Sequence, residues 1–329
     1  QRTARVAVDP VVRKLCRVYG QPDGGVGPLE PDLIGEHHVA TVGDPELIDG
    51  CLRWIEAEPT ESQAKRRRYL LTMLQRATQQ EHGTWANGQA VMLLDHLVGR
   101  HAKELAADLV AVMMDTQGAL AERVDRQVDA LDDESLDAID TELPIQSLSL
   151  MDLSLHVAVR RDRLARERLA AVDSLDDAAA DHRETILSRL AASANTLGIR
   201  LSALGRHEEA LAASQEAVGI RRRLAQDRPD AFLPKLALSI STTSVVLTAL
   251  DRQTEAAQAA HEALEILAPF VERYPETFGD LARTIGADLL RYSAAAQQAP
   301  DRALLGRVAR ALDGGETAAE DPPIEALKP

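Results

Sequence analysis

Two stretches of this chain repeat each other at a spacing of 46 residues. Leu190, Ser193, Leu201, Leu204, Arg206, Glu209, Ala210, Glu216, Ala217 and Ile220 are matched one for one by Leu236, Ser239, Leu247, Leu250, Arg252, Glu255, Ala256, Glu262, Ala263 and Ile266. A fixed period of that length marks stacked units, each too small to bury its apolar face except against its neighbours. Such an architecture offers a long surface for holding a partner rather than a pocket for chemistry.

The material of that core follows from composition. Apolar residues make up 45% of the 329 but aromatics only 3%, so the interior has to be built from Leu, Ala, Val and Ile. Ala and Leu are strong helix formers and little in the chain reads as strand, which predicts an all-α protein. A formal charge of −15 opposes both a nucleic-acid backbone and an anionic membrane surface. Local basic clusters run against it at Arg2, Arg5, Arg13, Lys14 and Arg17, and from Lys65 to Arg68. Four consecutive charges cannot share one helix face, so the second cluster reads as a solvated turn.

Two cysteines, Cys16 and Cys51, occur without a CxxC or a His-rich pattern, which indicates neither a disulfide framework nor a structural zinc site and fits a reducing cytoplasm. No apolar run approaches the length that spans a bilayer, and no signal peptide is visible. The start at Gln1 rather than Met leaves room for sequence upstream.

Four segments are expected. Residues 1–43, broken by the glycine- and proline-rich stretch from Gly20 to Pro28, read as the remnant of a small N-terminal domain. Residues 44–143 alternate helix and short break, with Asp44-Pro45 as a cap followed by proline and Pro59 as a second break. Here Leu70, Leu71, Leu74 and Ala77, then Val91, Leu94, Leu97 and Val98, recur at helical spacing. No clean period emerges, so this is a region of irregular helical pairs. Residues 144–299 lead through a helix over 147–171 into the repeat array, and 300–329 give one short helix and a loose tail.

Each unit reads as two antiparallel helices, roughly 184–204 with 208–226, then 235–250 with 254–273. Gly198 removes a side chain where the helices cross, Gly205 lets the chain turn, and Ala210 and Ala217 keep the second helix close. Asn195-Thr-Leu-Gly198, Leu201, Leu204-Gly-Arg-His-Glu-Glu-Ala-Leu211, Ala217-Val218 and Ile220 together resemble the tetratricopeptide repeat. The proline that closes the unit arrives late, as Pro229, so the second helix is about two turns longer than in the 34-residue form. In the second unit Ser244 and Asp251 replace the glycines. In the third only Phe278 to Ala296 is recognisable, with Phe270, Tyr274 and Phe278 read as core beneath it.

The resemblance implies a right-handed superhelical array whose first helices line a concave groove. It places Asn195, Ile199, Ser202, Ser241, Val245 and Thr248 along that groove and Arg291 near its end. This lining is polar-neutral to apolar, which suits an extended or helical peptide or another subunit better than a free C-terminus. The alternative is that the chain's own tail or first helices fill it. Further upstream, the run from Leu29 to Ala40, followed by irregular helices and long repeats, resembles the region after the nucleotide-binding part of bacterial signal-transduction (STAND-type) ATPases. That resemblance implies a winged-helix end and a helical sensor, with a nucleotide-binding domain of the same protein as a partner.

Sequence signatures of catalysis are missing: no GxxxxGK[ST], GxSxG or HExxH occurs, so no nucleotide cofactor, metal or catalytic residue is assigned. His96, His101 and Glu104 form the most tempting polar cluster, but they lack the several carboxylates of a di-metal helical site and read as a solvated face. Glu36-His37-His38 offers adjacent imidazoles that diverge by about 100° on a helix and do not readily share an ion. The sequence therefore predicts a non-enzymatic interaction or sensor scaffold of a bacterial, cytoplasmic regulator, with a protein or peptide partner and neither nucleic acid nor membrane. The competing expectation is a helical small-molecule binder or enzyme with its site in residues 82–104.

Overall fold

A computed structural model describes residues 44–79, 84–115, 119–145, 147–173 and 180–313. The expected winged-helix remnant in 1–43, with His37 and His38, lies outside them. Among the described residues there are twelve α-helices and no strand. The chain divides into two compact units, residues 1–157 and 158–329.

The first unit contains α1 (Pro45–Glu56), α2 (Thr60–Gln79), α3 (Thr84–Asp115), α4 (Ala119–Gln127) and α5 (Asp133–Glu142). Asp44 caps α1 by accepting the Glu46 amide at 3.0 Å, with Pro45 in the first turn where its missing N–H costs nothing. The helix α3 is the hub on which α1, α2, α4 and α5 pack. Of the expected stripes, Leu71, Leu74, Ala77, Leu94, Leu97 and Val98 are fully buried, Leu70 is buried and Val91 half-buried.

Lys65 to Arg68 is not a solvated turn but the middle of α2. Its charges diverge as helix geometry requires. Arg66 stacks over Trp54 and pairs with Glu58, while Arg67 and Arg68 both donate to the buried carboxylate of Asp108 on α3, Arg68 at 3.0 Å. A buried carboxylate needs such charge-assisted donors, and the basic run supplies them.

The helix α6 (Met151–Asp173) leads to the repeats: α7 (Ala180–Ala203) with α8 (His207–Asp227), α9 (Pro229–Ala249) with α10 (Gln253–Arg273), and α11 (Pro275–Ala295) with α12 (Arg302–Leu312). From α7 to α12 each helix packs against the next, and the first helices α7, α9 and α11 also touch in succession. Ala210, Ala217, Ala256 and Ala263 are fully buried, as close helix crossing demands.

The period extends further than residue identities show. Gly205, Asp251 and Gln297 stand 46 apart, and all three adopt positive φ, at 75°, 59° and 56°. After each, the next amide donates to the carbonyl five residues back: Arg206 to Leu201, Arg252 to Leu247 and Gln298 to Ser293, at 2.9, 2.9 and 2.8 Å. This is the left-handed helix stop that usually takes glycine. The longer joints also recur, at Arg228 (φ −136°) before Pro229 and Tyr274 (φ −141°) before Pro275. The third first-helix is therefore full length, and α12, packed on α10 and α11, completes its pair.

Three expectations are corrected here. Residues 230–234, which fall between the expected helices 208–226 and 235–250, are the opening turns of α9, because Pro229 begins that helix rather than closing the preceding unit. Tyr274 is exposed at the joint, while Phe270 is buried with its ring edge-on to half-buried Phe278 at 5.8 Å. Finally, α9 is long and apolar enough by length and composition to cross a membrane. Its apolarity has a structural reason, since it is packed among α7, α8, α10 and α11 and most of its apolar window is buried.

Candidate interaction face and a histidine–aspartate cluster

The seven expected groove residues occupy three repeat-equivalent positions: 195 and 241; 199, 245 and 291; 202 and 248. The structure separates them by exposure. Asn195 and Ser241 are buried and do not line an open surface. Asn195 Oδ1 accepts from Ser239 Oγ on α9 at 3.1 Å, and Ser239 in turn accepts from Arg221 of α8, which also donates to the Lys235 carbonyl at 2.7 Å. Burial without a carboxylate partner pushes the Arg221 guanidinium down to about 10. Asn195 thus belongs to a polar pin through three helices.

The other positions fall on the first helices, which pack side by side. Val245 is 46% exposed and Leu238, two turns earlier on α9, 41% exposed. Ile199 and Ser202 on α7 and Thr248 on α9 are half-buried beside them. Three threonine hydroxyls on the first helices are already spent: Thr242, Thr248 and Thr284 each donate to the carbonyl four residues back, at 3.1, 3.0 and 2.9 Å. That back-bonding leaves methyl groups to face outward. A lining that reads as polar-neutral to apolar in the sequence is therefore largely apolar in effect. Its character changes on α11, where Arg291 donates to Asp288 at 2.7 Å and to the Tyr292 hydroxyl at 3.0 Å, and lies over the Tyr292 ring. The bond to Tyr292 raises the Arg291 guanidinium, while burial pushes the Asp288 carboxyl up against the pull of Arg291.

The polar cluster in 82–104 is also rearranged. Glu104 is exposed and apart. His96 and His101 instead point their Nε2 atoms at one oxygen of Asp49 on α1, at 2.8 and 3.0 Å. Each imidazole is 23% exposed and the carboxylate 12%, so this is not a solvated face. The backbone supplies the reason: His101 has φ −124° and ψ 16°, a kink inside α3. Residues five apart on a regular helix diverge by about 140°, and the kink lets both rings reach one acceptor. Asp49 was missed because it lies 47 residues from His96 on another helix. The Asp44-Pro45 cap that sets the start of α1 was the available clue to its placement.

The family model for the tetratricopeptide repeat matches residues 190–230, spanning the end of α7, all of α8 and the joint into α9. These residues form a tetratricopeptide repeat. The α9–α10 and α11–α12 pairs continue its geometry at the same period, and repeats of this kind characteristically serve as protein-interaction scaffolds. Comparison with curated proteins and with solved structures returned no match.

Proposed function

We propose that the chain is a protein-binding scaffold that receives an amphipathic helix of its partner across the exposed face of α7 and α9. The observation that carries this is the apolar strip made by Ile199, Leu238 and Val245, with neighbouring threonine hydroxyls bonded to their own helices. A partner helix with apolar residues at i, i+3, i+4 and i+7 would cover such a strip through side-chain packing, without needing hydrogen bonds from it. The acidic chain and its two cysteines favour a role in a reducing cytoplasm. The resemblance of residues 29–40 and the following helices to bacterial signal-transduction ATPases favours a sensor arm, whose occupancy shifts a neighbouring domain between states.

The test uses a partner captured by the intact chain and an affinity measured for each variant. Ile199→Glu and Val245→Glu should each weaken binding by about tenfold or more, since an unpaired charge buried under the partner costs more than about 1.4 kcal/mol. Gln258→Glu on α10, which is exposed and outside the strip, should leave the affinity unchanged. Equal affinities across all three variants would remove this face as the binding site.

A further inference from the structure

We propose that Asp49, His96 and His101 form a binding site for a divalent transition-metal ion of the zinc class, held by two imidazole Nε2 atoms and one carboxylate oxygen. The three candidate ligand atoms all lie within 4.8 Å of one another. An ion at about 2.0–2.1 Å from each nitrogen brings two nitrogens to about 3.3 Å in tetrahedral geometry. Closing to that separation takes side-chain movement of about 1 Å or less. Imidazole with carboxylate is a donor set that suits zinc and its first-row neighbours, whereas magnesium and calcium prefer an all-oxygen cage.

The surroundings fit such a site. His101 occupies the non-helical residue of α3, and a distorted backbone that turns a side chain onto a shared point is typical of functional positions. The two carboxylate oxygens are divided: Oδ1 faces both imidazoles, while Oδ2 lies 3.7 Å from Nε of the exposed Arg100. Arg100 can therefore hold one oxygen while the other binds the ion. Both histidine side chains are 23% exposed, so solvent is at hand for the outer hydrogen bond that a metal-bound imidazole commonly makes. Three protein donors leave a coordination position for water or an added ligand. This site is independent of the repeat face and of the binding role proposed for it.

The test takes the full chain stripped with a chelator and titrated with Zn2+ by calorimetry and with Co2+ by visible absorption. One equivalent should saturate, with a cobalt spectrum of nitrogen and oxygen ligation. His96→Gln and His101→Gln keep a side-chain N–H to offer Asp49, so they preserve the α1–α3 contact while removing a good ligand. Each of these, and Asp49→Asn, should weaken binding by about 100-fold or more, with metal-free thermal midpoints close to that of the parent. His37→Ala with His38→Ala, and His156→Ala, should bind as the parent does. Absence of saturable uptake, a thiolate band in the cobalt spectrum, or parental affinity in the three site variants would each overturn the proposal.

Discussion

At the scale of single residues, the repeat preserves a volume rather than an identity. A Cβ on Gly198 would lie 2.3 Å from Ser214 Oγ and 3.1 Å from the Ala210 carbonyl, so glycine is required by that neighbour. One period on, the same two positions hold Ser244 and Ala260, both fully buried, and the bulk has moved from the second helix to the first. Leu290 and Gly306 continue the exchange in the third unit. Gly198→Ser alone should therefore overpack the α7–α8 crossing and cost about 1–3 kcal/mol. Adding Ser214→Ala, which installs the second unit's own pair, should recover most of that loss in a urea denaturation series. Additive losses in the double variant would contradict this coupling. The change carries little penalty of its own, because Ser214 Oγ is buried without a hydrogen-bond partner. The same scale explains the misplacement of Asn195. Its position in the repeat was legible, but its bond to Ser239 depends on how α7 meets α9, which no local pattern encodes.

At the scale of elements, the start of α1 was readable from its cap and proline at Asp44-Pro45, whereas Pro229 was read as an end although it begins α9, and helices whose identities have drifted were not readable. The helix α11 keeps the 21 residues of α9 and the left-handed stop at Gln297 with almost none of the matching residues, so comparison of sequence alone broke off there. The second helix of that pair, α12, relies on Asp301, whose carboxylate accepts the Leu304 amide at 3.0 Å and faces His261 of α10 at 3.3 Å. The Leu304 amide, then His261, hold this carboxyl below its ordinary value of 3.8. A group depressed in this way stabilises the fold above its unfolded pKa, and the contribution is lost as pH falls through the folded one. Asp301→Ala should thus cost about 1 kcal/mol at neutral pH. The gap between variant and parent midpoints should narrow as the solution is taken below 3.8. A gap that holds constant with pH would show that the carboxylate is not the stabilising form. The histidine–aspartate cluster marks the opposite limit of legibility, since its geometry depends on a kink that the spacing of His96 and His101 argues against.

At the scale of the whole molecule, stability in a stacked array is a sum over nearest neighbours, so it should be graded along the chain. Amide exchange should be slowest in α8, α9 and α10, which are enclosed by helices before and after them, and fastest within the array in α12, which packs on α10 and α11 and on no later helix among the described residues. Uniform protection from α7 to α12 would mean that the six helices open as one body. The matching joints at Gly205 and Asp251, each followed two residues on by the next helix, carry a consequence for how such a chain changes over time. Because these two stops hand the next helix on in the same conformation, a duplication or loss of one whole period between them leaves the remaining joint intact. The length of the binding face is then an inheritable quantity that can step up or down in a single event. A lineage of such chains can match partners of different lengths without inventing a new core.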